Sequence, residues 1–260
     1  MDRGGALSEA GRPATTEDRL LGGRVRLRQP VEGFRAAIDP VLLAAAVPAL
    51  PGERVLEAGT GTGAAALCLL ARVVPLAVTG IERDGAIAAL ARANAGLNGV
   101  AEGFAVIEGD IAARATIASA ASFGACAHAM ANPPFHVAGT PSPRAGRRAA
   151  GHESADAALA VWVAAMARCL APRGTLSLIL PPARLPDALA ACAAAGIGSL
   201  ALMPFWPRAG EAARRLIVQG VKGGRAPCRL ASGLVLHCAG GGYTEAAERI
   251  LKGGEALALN

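Results

Sequence analysis

The chain has 260 residues, enough for one large domain or two small ones with a sizeable core, and 63 alanines inflate its 53% hydrophobic content. No window holds the roughly 18 uncharged, strongly apolar residues of a membrane-spanning helix, and the charged first twenty residues have no apolar signal-peptide core; membrane and secretory classes are excluded and a cytoplasmic protein is expected. The net charge is +6, and all but two of the 26 cations are Arg, whose planar fork suits phosphate, although a bias toward Arg and Ala gives the same balance.

Residues 1–20 read as a flexible leader and 21–260 as one domain, because no repeat, low-complexity block or Ser/Gly linker divides them. Residues 21–36, LGGRVRLRQPVEGFRA, alternate like a short strand and turn. Asp39 is placed to cap the helix PVLLAAAVPAL, with Pro40 in its first turn and Pro51-Gly52 ending it. Residues 21–50 thus form a strand/helix extension of the domain. From there strand and helix alternate. RVLEAG (54–59) is a strand, 63–74 a helix, LAVTGIE (76–82) a strand, and 85–99 a helix closed by Asn98-Gly99. FAVIEGD (104–110) is a third strand and the run before Asn132 a fourth. Residues 155–171 are helical up to Pro172, 175–180 form a fifth strand, and apolar stretches follow at 199–204, 215–221 and 233–238. The alternation predicts an α/β fold with a mostly parallel sheet and helices on both faces. Six cysteines (68, 126, 169, 192, 228 and 238) stand singly with no Cys-x-x-Cys pair, which predicts buried free thiols and no metal site.

The chemistry gathers at strand ends. Gly59, Gly61 and Gly63 lie between the first strand and its helix, where glycines let a ligand approach the backbone. Glu82 ends the second strand and can accept hydrogen bonds from both hydroxyls of a ribose. Asp110, followed by Ile111, ends the third, within reach of an adenine amino group. Together they point to an adenosine-containing ligand. Gly59-x-Gly61-x-x-Ala64 also satisfies a dinucleotide fingerprint, but no basic partner for a 2′-phosphate can be assigned. Glu57, just before the loop, suits a cationic group better than a pyrophosphate. After the fourth strand comes Asn132-Pro133-Pro134-Phe135. Alone, these four residues read either as an ordinary strand-to-loop exit or as a rigid pocket for one planar amide-like group, in which the Asn132 side-chain oxygen and the Pro133 carbonyl would each accept one N–H and Phe135 would stack on the ring.

Glu57-x-Gly59-x-Gly61-x-Gly63, Asp110 and Asn132–Phe135 resemble the Rossmann-like class I S-adenosylmethionine-dependent methyltransferases. The resemblance implies a seven-stranded, mostly parallel sheet, the cofactor S-adenosyl-L-methionine, and a planar nitrogen held by the Asn-Pro-Pro-Phe. The flanks RLLGGRVRLRQPVEGFRAAIDPVLLAAA (19–46) and LVLHCAGGGYTEAAERIL (234–251) are similar to the bacterial tRNA1(Val) adenine-N6-methyltransferases. That resemblance implies transfer to N6 of the adenine 3′ of the anticodon, and puts Asp39 beside the cofactor. The motif is shared with guanine-N2 and protein-glutamine methyltransferases, so those acceptors stay open. A nicotinamide oxidoreductase would leave Asn132–Phe135 unexplained, and a non-catalytic RNA-binding module would leave the glycine loop idle. The loop 136–153 departs from the family pattern; its Arg144, Arg147 and Arg148 are candidate phosphate clamps over a flipped base. His152-Glu153 matches a family feature without a stated mechanism, and His128 reads as structural. Arg24, Arg26 and Arg28 alternate on one strand face, as a solvated face or an extension of the basic track. Composition leaves the oligomeric state open.

Overall fold

The computed structural model describes residues 14–32, 35–134 and 155–259. Its strands are β1 (Thr15–Leu20), β2 (Val25–Pro30), β3 (Arg54–Ala58), β4 (Ala77–Glu82), β5 (Phe104–Glu108), β6 (Cys126–Ala131), β7 (Leu170–Leu180), β8 (Ile197–Trp206), β9 (Arg215–Lys222), β10 (Arg229–Leu230) and β11 (Leu234–Val235). Its helices are α1 (Asp39–Ala46), α2 (Ala64–Arg72), α3 (Gly85–Leu97), α4 (Arg114–Ser122), α5 (Ala155–Cys169), α6 (Leu185–Ala194) and α7 (Glu245–Leu251).

The main sheet runs β5-β4-β3-β6-β7-β9-β8, with β10 and β11 beside β8. β3 to β7 pair in parallel, and β9 runs antiparallel to both β7 and β8. The expected seven strands are therefore the core, and two strands of two residues extend its edge. Strand residues alternate between two layers. Val55, Met130, Ile179 and Ile217 pack with α1, α2 and α7, whereas Leu56, Ala129, Leu178 and Val218 pack with α4, α5 and α6. Burial on both faces is why these strands read as unbroken apolar runs.

Local chemistry sets the element ends. The Asp84 carboxylate accepts from the Ala86 and Ile87 amides at 2.9 and 3.2 Å and caps α3. The Thr244 hydroxyl accepts from the Ala247 amide at 3.2 Å and caps α7. β3 to β6 and the helices α2 and α3 lie where the sequence places them. The helices α4, α6 and α7 are not anticipated.

Four expectations are corrected. The leader does not reach residue 20: the polar run TTEDRL forms β1, whose ladder with β2 is reinforced by Glu17 on Arg26 (2.8 Å) and Asp18 on Gln29 (2.9 Å). Helix α1 stops at Ala46 because Val47, which precedes Pro48, is extended at φ −73° and ψ 119°. Asp39 is the first residue of α1 and caps no amide, because Arg215 engages its carboxylate. Two of the cysteines, Cys228 and Cys238, are exposed; Cys68, Cys126, Cys169 and Cys192 are buried.

The early and late parts of the chain meet on the α1 face. The Arg24 guanidinium donates to the Gly253 carbonyl, and the Leu257 amide donates to the Ala45 carbonyl at 2.8 Å. Arg26 and Arg28 both face Glu17, at 2.8 and 3.6 Å, so the exposed arginines of β2 form a paired surface. Among the described residues no helix is long and apolar enough to cross a membrane.

Candidate active site

The carboxyl ends of β3, β4, β5 and β6 release the Gly59–Gly63 loop, Glu82, Asp110 and Asn132 on one edge of the sheet. Ala58 faces Ala131 across the β3–β6 ladder, so Gly59 and Asn132 leave adjacent strands about 5 Å apart.

The loop needs its glycines for two different reasons. Gly59 (φ +64°) lies under the Trp162 ring of α5, and a Cβ there would stand 2.5 Å from the nearest ring atom. Gly61 (φ +56°) has nothing among the described residues within 4 Å of the corresponding position, which leaves room there for a ligand. The Thr60 amide donates to the Ile81 carbonyl at 2.9 Å and the Gly61 amide to Glu82 Oε2 at 2.9 Å. Glu82 Oε1 accepts from the Asp84 amide at 2.9 Å. The same carboxylate thus braces the loop and the start of α3, and it stays partly exposed.

Glu57 departs from its expected place as a cation contact. It is 3% exposed, and its Oε2 accepts from the Thr60 hydroxyl at 2.5 Å and from the Ala66 amide in the first turn of α2 at 3.2 Å. Burial pushes its carboxyl up to about 8, against the lowering effect of those two donors and with help from the charge of Glu82. Glu57 is the post on which the loop and the α2 N-terminus rest.

Asp110 Oδ1 accepts from the Ala112 amide at 2.8 Å, and Oδ2 stands 3.8 Å from Arg83 Nη1. Ile111 is buried against Ile117 and Ile81 in the second core layer. Asn132 is half-buried, Pro133 buried and Pro134 exposed. Among the described residues the Asn132 amide has no hydrogen-bond partner, which leaves both its oxygen and its nitrogen for a ligand. Phe135, Arg144, Arg147, Arg148, His152 and Glu153 lie outside the described residues. His128 is structural: Nδ1 meets Thr175 Oγ1 at 2.7 Å and Nε2 meets Glu53 Oε2 at 2.9 Å, toward the start of the strands.

The reversed direction of β9 brings its first residue, Arg215, to the carboxyl edge, since Leu216 faces Leu180 at the end of β7. Arg215 Nε donates to Asp39 Oδ2 at 2.6 Å and ties α1 to that edge. The sequence gives no sign of Arg215, Trp162 or Thr60 as supporting residues; only the strand order brings Arg215 there. Among the described residues no three His, Cys, Asp or Glu side chains cluster as a metal site.

No family model matches the chain. Across 219 residues it is 29% identical to the tRNA1(Val) (adenine(37)-N6)-methyltransferase of Aeromonas hydrophila, an alignment spanning 82% of this chain and 86% of that one. It is 33% identical over 159 residues to the enzyme of the same name from Porphyromonas gingivalis, covering 59% and 61%. The chain is thus similar to these methyltransferases over most of its length. A solved structure from Agrobacterium tumefaciens, named a predicted O-methyltransferase, superposes on this methyltransferase with a TM-score of 0.71 and 28% identity, covering 85% of this chain and 99% of its own. The fold is thus the class I methyltransferase fold, and the glycine loop, Glu82 and Asn132 stand on the edge where such sheets bind ligands.

Proposed function

We propose that this enzyme transfers the methyl group of S-adenosyl-L-methionine to the exocyclic N6 of an adenine in tRNA, the adenine 3′ of the anticodon. The observation that carries the reading is the half-buried Asn132 amide, without a partner among the described residues, one strand from a glycine backbone at Gly61 that is open among those same residues. The relatives' names support the adenine acceptor, and a tRNA acceptor goes with a cytoplasmic location.

The residues fit the donor. Glu82 keeps oxygen lone pairs for ribose hydroxyls beyond the two amides it already accepts. Asp110 Oδ2 can take an adenine amino group beside the apolar Ile111, and the open backbone of Gly61 admits close approach. When bound, the cofactor supplies a sulfonium-activated methyl. The chain supplies position. The Asn132 oxygen and the Pro133 carbonyl each accept one N–H of the amine. This draws its nitrogen out of conjugation and aims the lone pair along the line of displacement. Phe135 and the arginines at 144, 147 and 148 are assigned here to the base and the phosphates.

The name of the Agrobacterium protein raises oxygen methylation as a second reading. An Asn-Pro-Pro-Phe offers two acceptors and no base, which suits an N–H acceptor and not a hydroxyl that must lose its proton. Incubation with labelled cofactor and separate tRNA, rRNA and protein fractions, followed by nucleoside analysis, tests the reading. The expected product is N6-methyladenosine in tRNA. Label confined to rRNA, protein or a hydroxyl overturns it.

A further inference from the structure

Beyond β9 the carboxyl edge carries side chains that methyl transfer does not use. β11 runs parallel to the end of β8, with Leu234 facing Phe205 and Val235 facing Trp206, so the chain after it leaves the sheet at the same edge as Asn132. The His237 amide then donates to the Pro207 carbonyl at 2.9 Å. The chain turns back through Gly241 and Gly242, both at positive φ, to a bridge between His237 and Tyr243. This turn stacks the two rings, with centroids 4.8 Å apart and planes 21° apart. Both residues are half-buried, and Tyr243 is the only tyrosine in the chain.

The β8–β9 turn alongside contributes Arg214, whose amide donates to the Phe205 carbonyl at 3.1 Å. Its neighbours are neutralised: Arg208 is paired with Glu211 and Arg215 with Asp39. Arg214 is exposed and has no acidic partner among the described residues. Arg214 lies across β8 from β11, two strand spacings or about 10 Å away; stacked rings with a cation at that reach are how proteins hold unpaired nucleotides, the base on the ring and the phosphate on the cation. Four strand spacings separate β11 from β6, about 20 Å. That distance is too great for the target base and suits another part of the same stem-loop.

We propose that His237, Tyr243 and Arg214 form a second RNA contact, which takes an unpaired base of the acceptor stem-loop on the stacked rings and a phosphate on Arg214. The contact sets how the RNA lies along the edge. This rests on the tRNA reading above.

The test measures binding of a fluorescent anticodon stem-loop RNA to the full chain by anisotropy across a salt series. Binding of S-adenosylhomocysteine and thermal melting are followed in parallel. His237→Ala should weaken RNA binding roughly 5- to 50-fold, and His237→Phe, which keeps a ring, should restore it. Arg214→Ala should weaken RNA binding and lower the slope of log affinity against log salt by about one. Melting and S-adenosylhomocysteine affinity should stay at wild-type values in all three. Wild-type RNA affinity in both alanine variants, in an enzyme that methylates tRNA, overturns the contact and leaves the tRNA reading standing. A wild-type enzyme that methylates a protein fraction and binds no RNA overturns both.

Discussion

Substituting Gly59 and Gly61 with alanine, one at a time, should separate the two tasks of the glycine loop. In Gly59→Ala the new methyl would stand 2.5 and 2.9 Å from two atoms of the Trp162 ring, at φ +64°. Left-handed backbone costs a residue with a Cβ about 1–2 kcal/mol, and displacing a packed ring about 1–3 kcal/mol more. The sum is about 2–5 kcal/mol, which for a chain of this size lowers the melting temperature by roughly 5–15 °C. In Gly61→Ala only the backbone term applies, since none of the described residues lies within 4 Å of the methyl, so melting should fall by only a few degrees. In the proposed site that methyl would meet the nucleoside, and S-adenosylhomocysteine affinity should drop at least tenfold, which costs about 1.4 kcal/mol of binding. Scanning calorimetry and calorimetric titration on both variants read the two effects. Saturating ligand at 100 times Kd raises wild-type stability by about 2.7 kcal/mol, and Gly61→Ala should lose much of that gain. Wild-type ligand affinity in Gly61→Ala, or wild-type melting in Gly59→Ala, would refute the division.

Asn132→Ala should lose turnover far more than cofactor affinity, whereas Glu82→Ala should weaken S-adenosylhomocysteine binding about 10- to 100-fold and keep more of its kcat at saturating cofactor. Equal loss of both quantities in either variant would undo these roles. Glu57 holds a proton in the fold that the unfolded chain gives up near 4.5, because its carboxyl is raised to about 8. Its contribution to stability is therefore greatest at acid pH and declines as pH rises toward 8, by at most about 1.4 kcal/mol per pH unit. Glu57→Gln removes that slope, so the variant should gain on wild type between pH 6 and pH 9 in denaturant titrations; parallel pH profiles would count against a buried, proton-holding Glu57. Asp84→Ala should cost about 0.5–2 kcal/mol through loss of the α3 cap, read by thermal melting with the RNA acceptor absent.

Much of the carboxyl edge was legible in the sequence because β3, β4 and β6 are buried on both faces and β5 is half-buried at the sheet's end. Each one reads as an apolar run that ends at a glycine, a carboxylate or Asn132. The helices between them are rich in Ala and Leu and begin at recognisable breaks. Helix α4, RATIASAAS, lacks a clear apolar stripe, and β1, TTEDRL, is polar enough to pass for a leader. Glu57 shows the limit for site residues. A carboxylate two residues before the first glycine of a loop looks the same in sequence whether it meets a ligand or braces a helix, and only its burial tells which. Arg215 needed the antiparallel turn of β9, a long-range fact that no local pattern contains.

The fastening of Arg24 to Gly253 and of Ala45 to Leu257 bears on how the protein is made. The hairpin and α1 leave the ribosome well before their partners in the segment after α7. The units from β3 to β6 pair with one another, so that part of the sheet can assemble before the segment after α7 is made. Helix α1, which holds Asp39, therefore meets its Leu257 partner only after the whole of the sheet has been made.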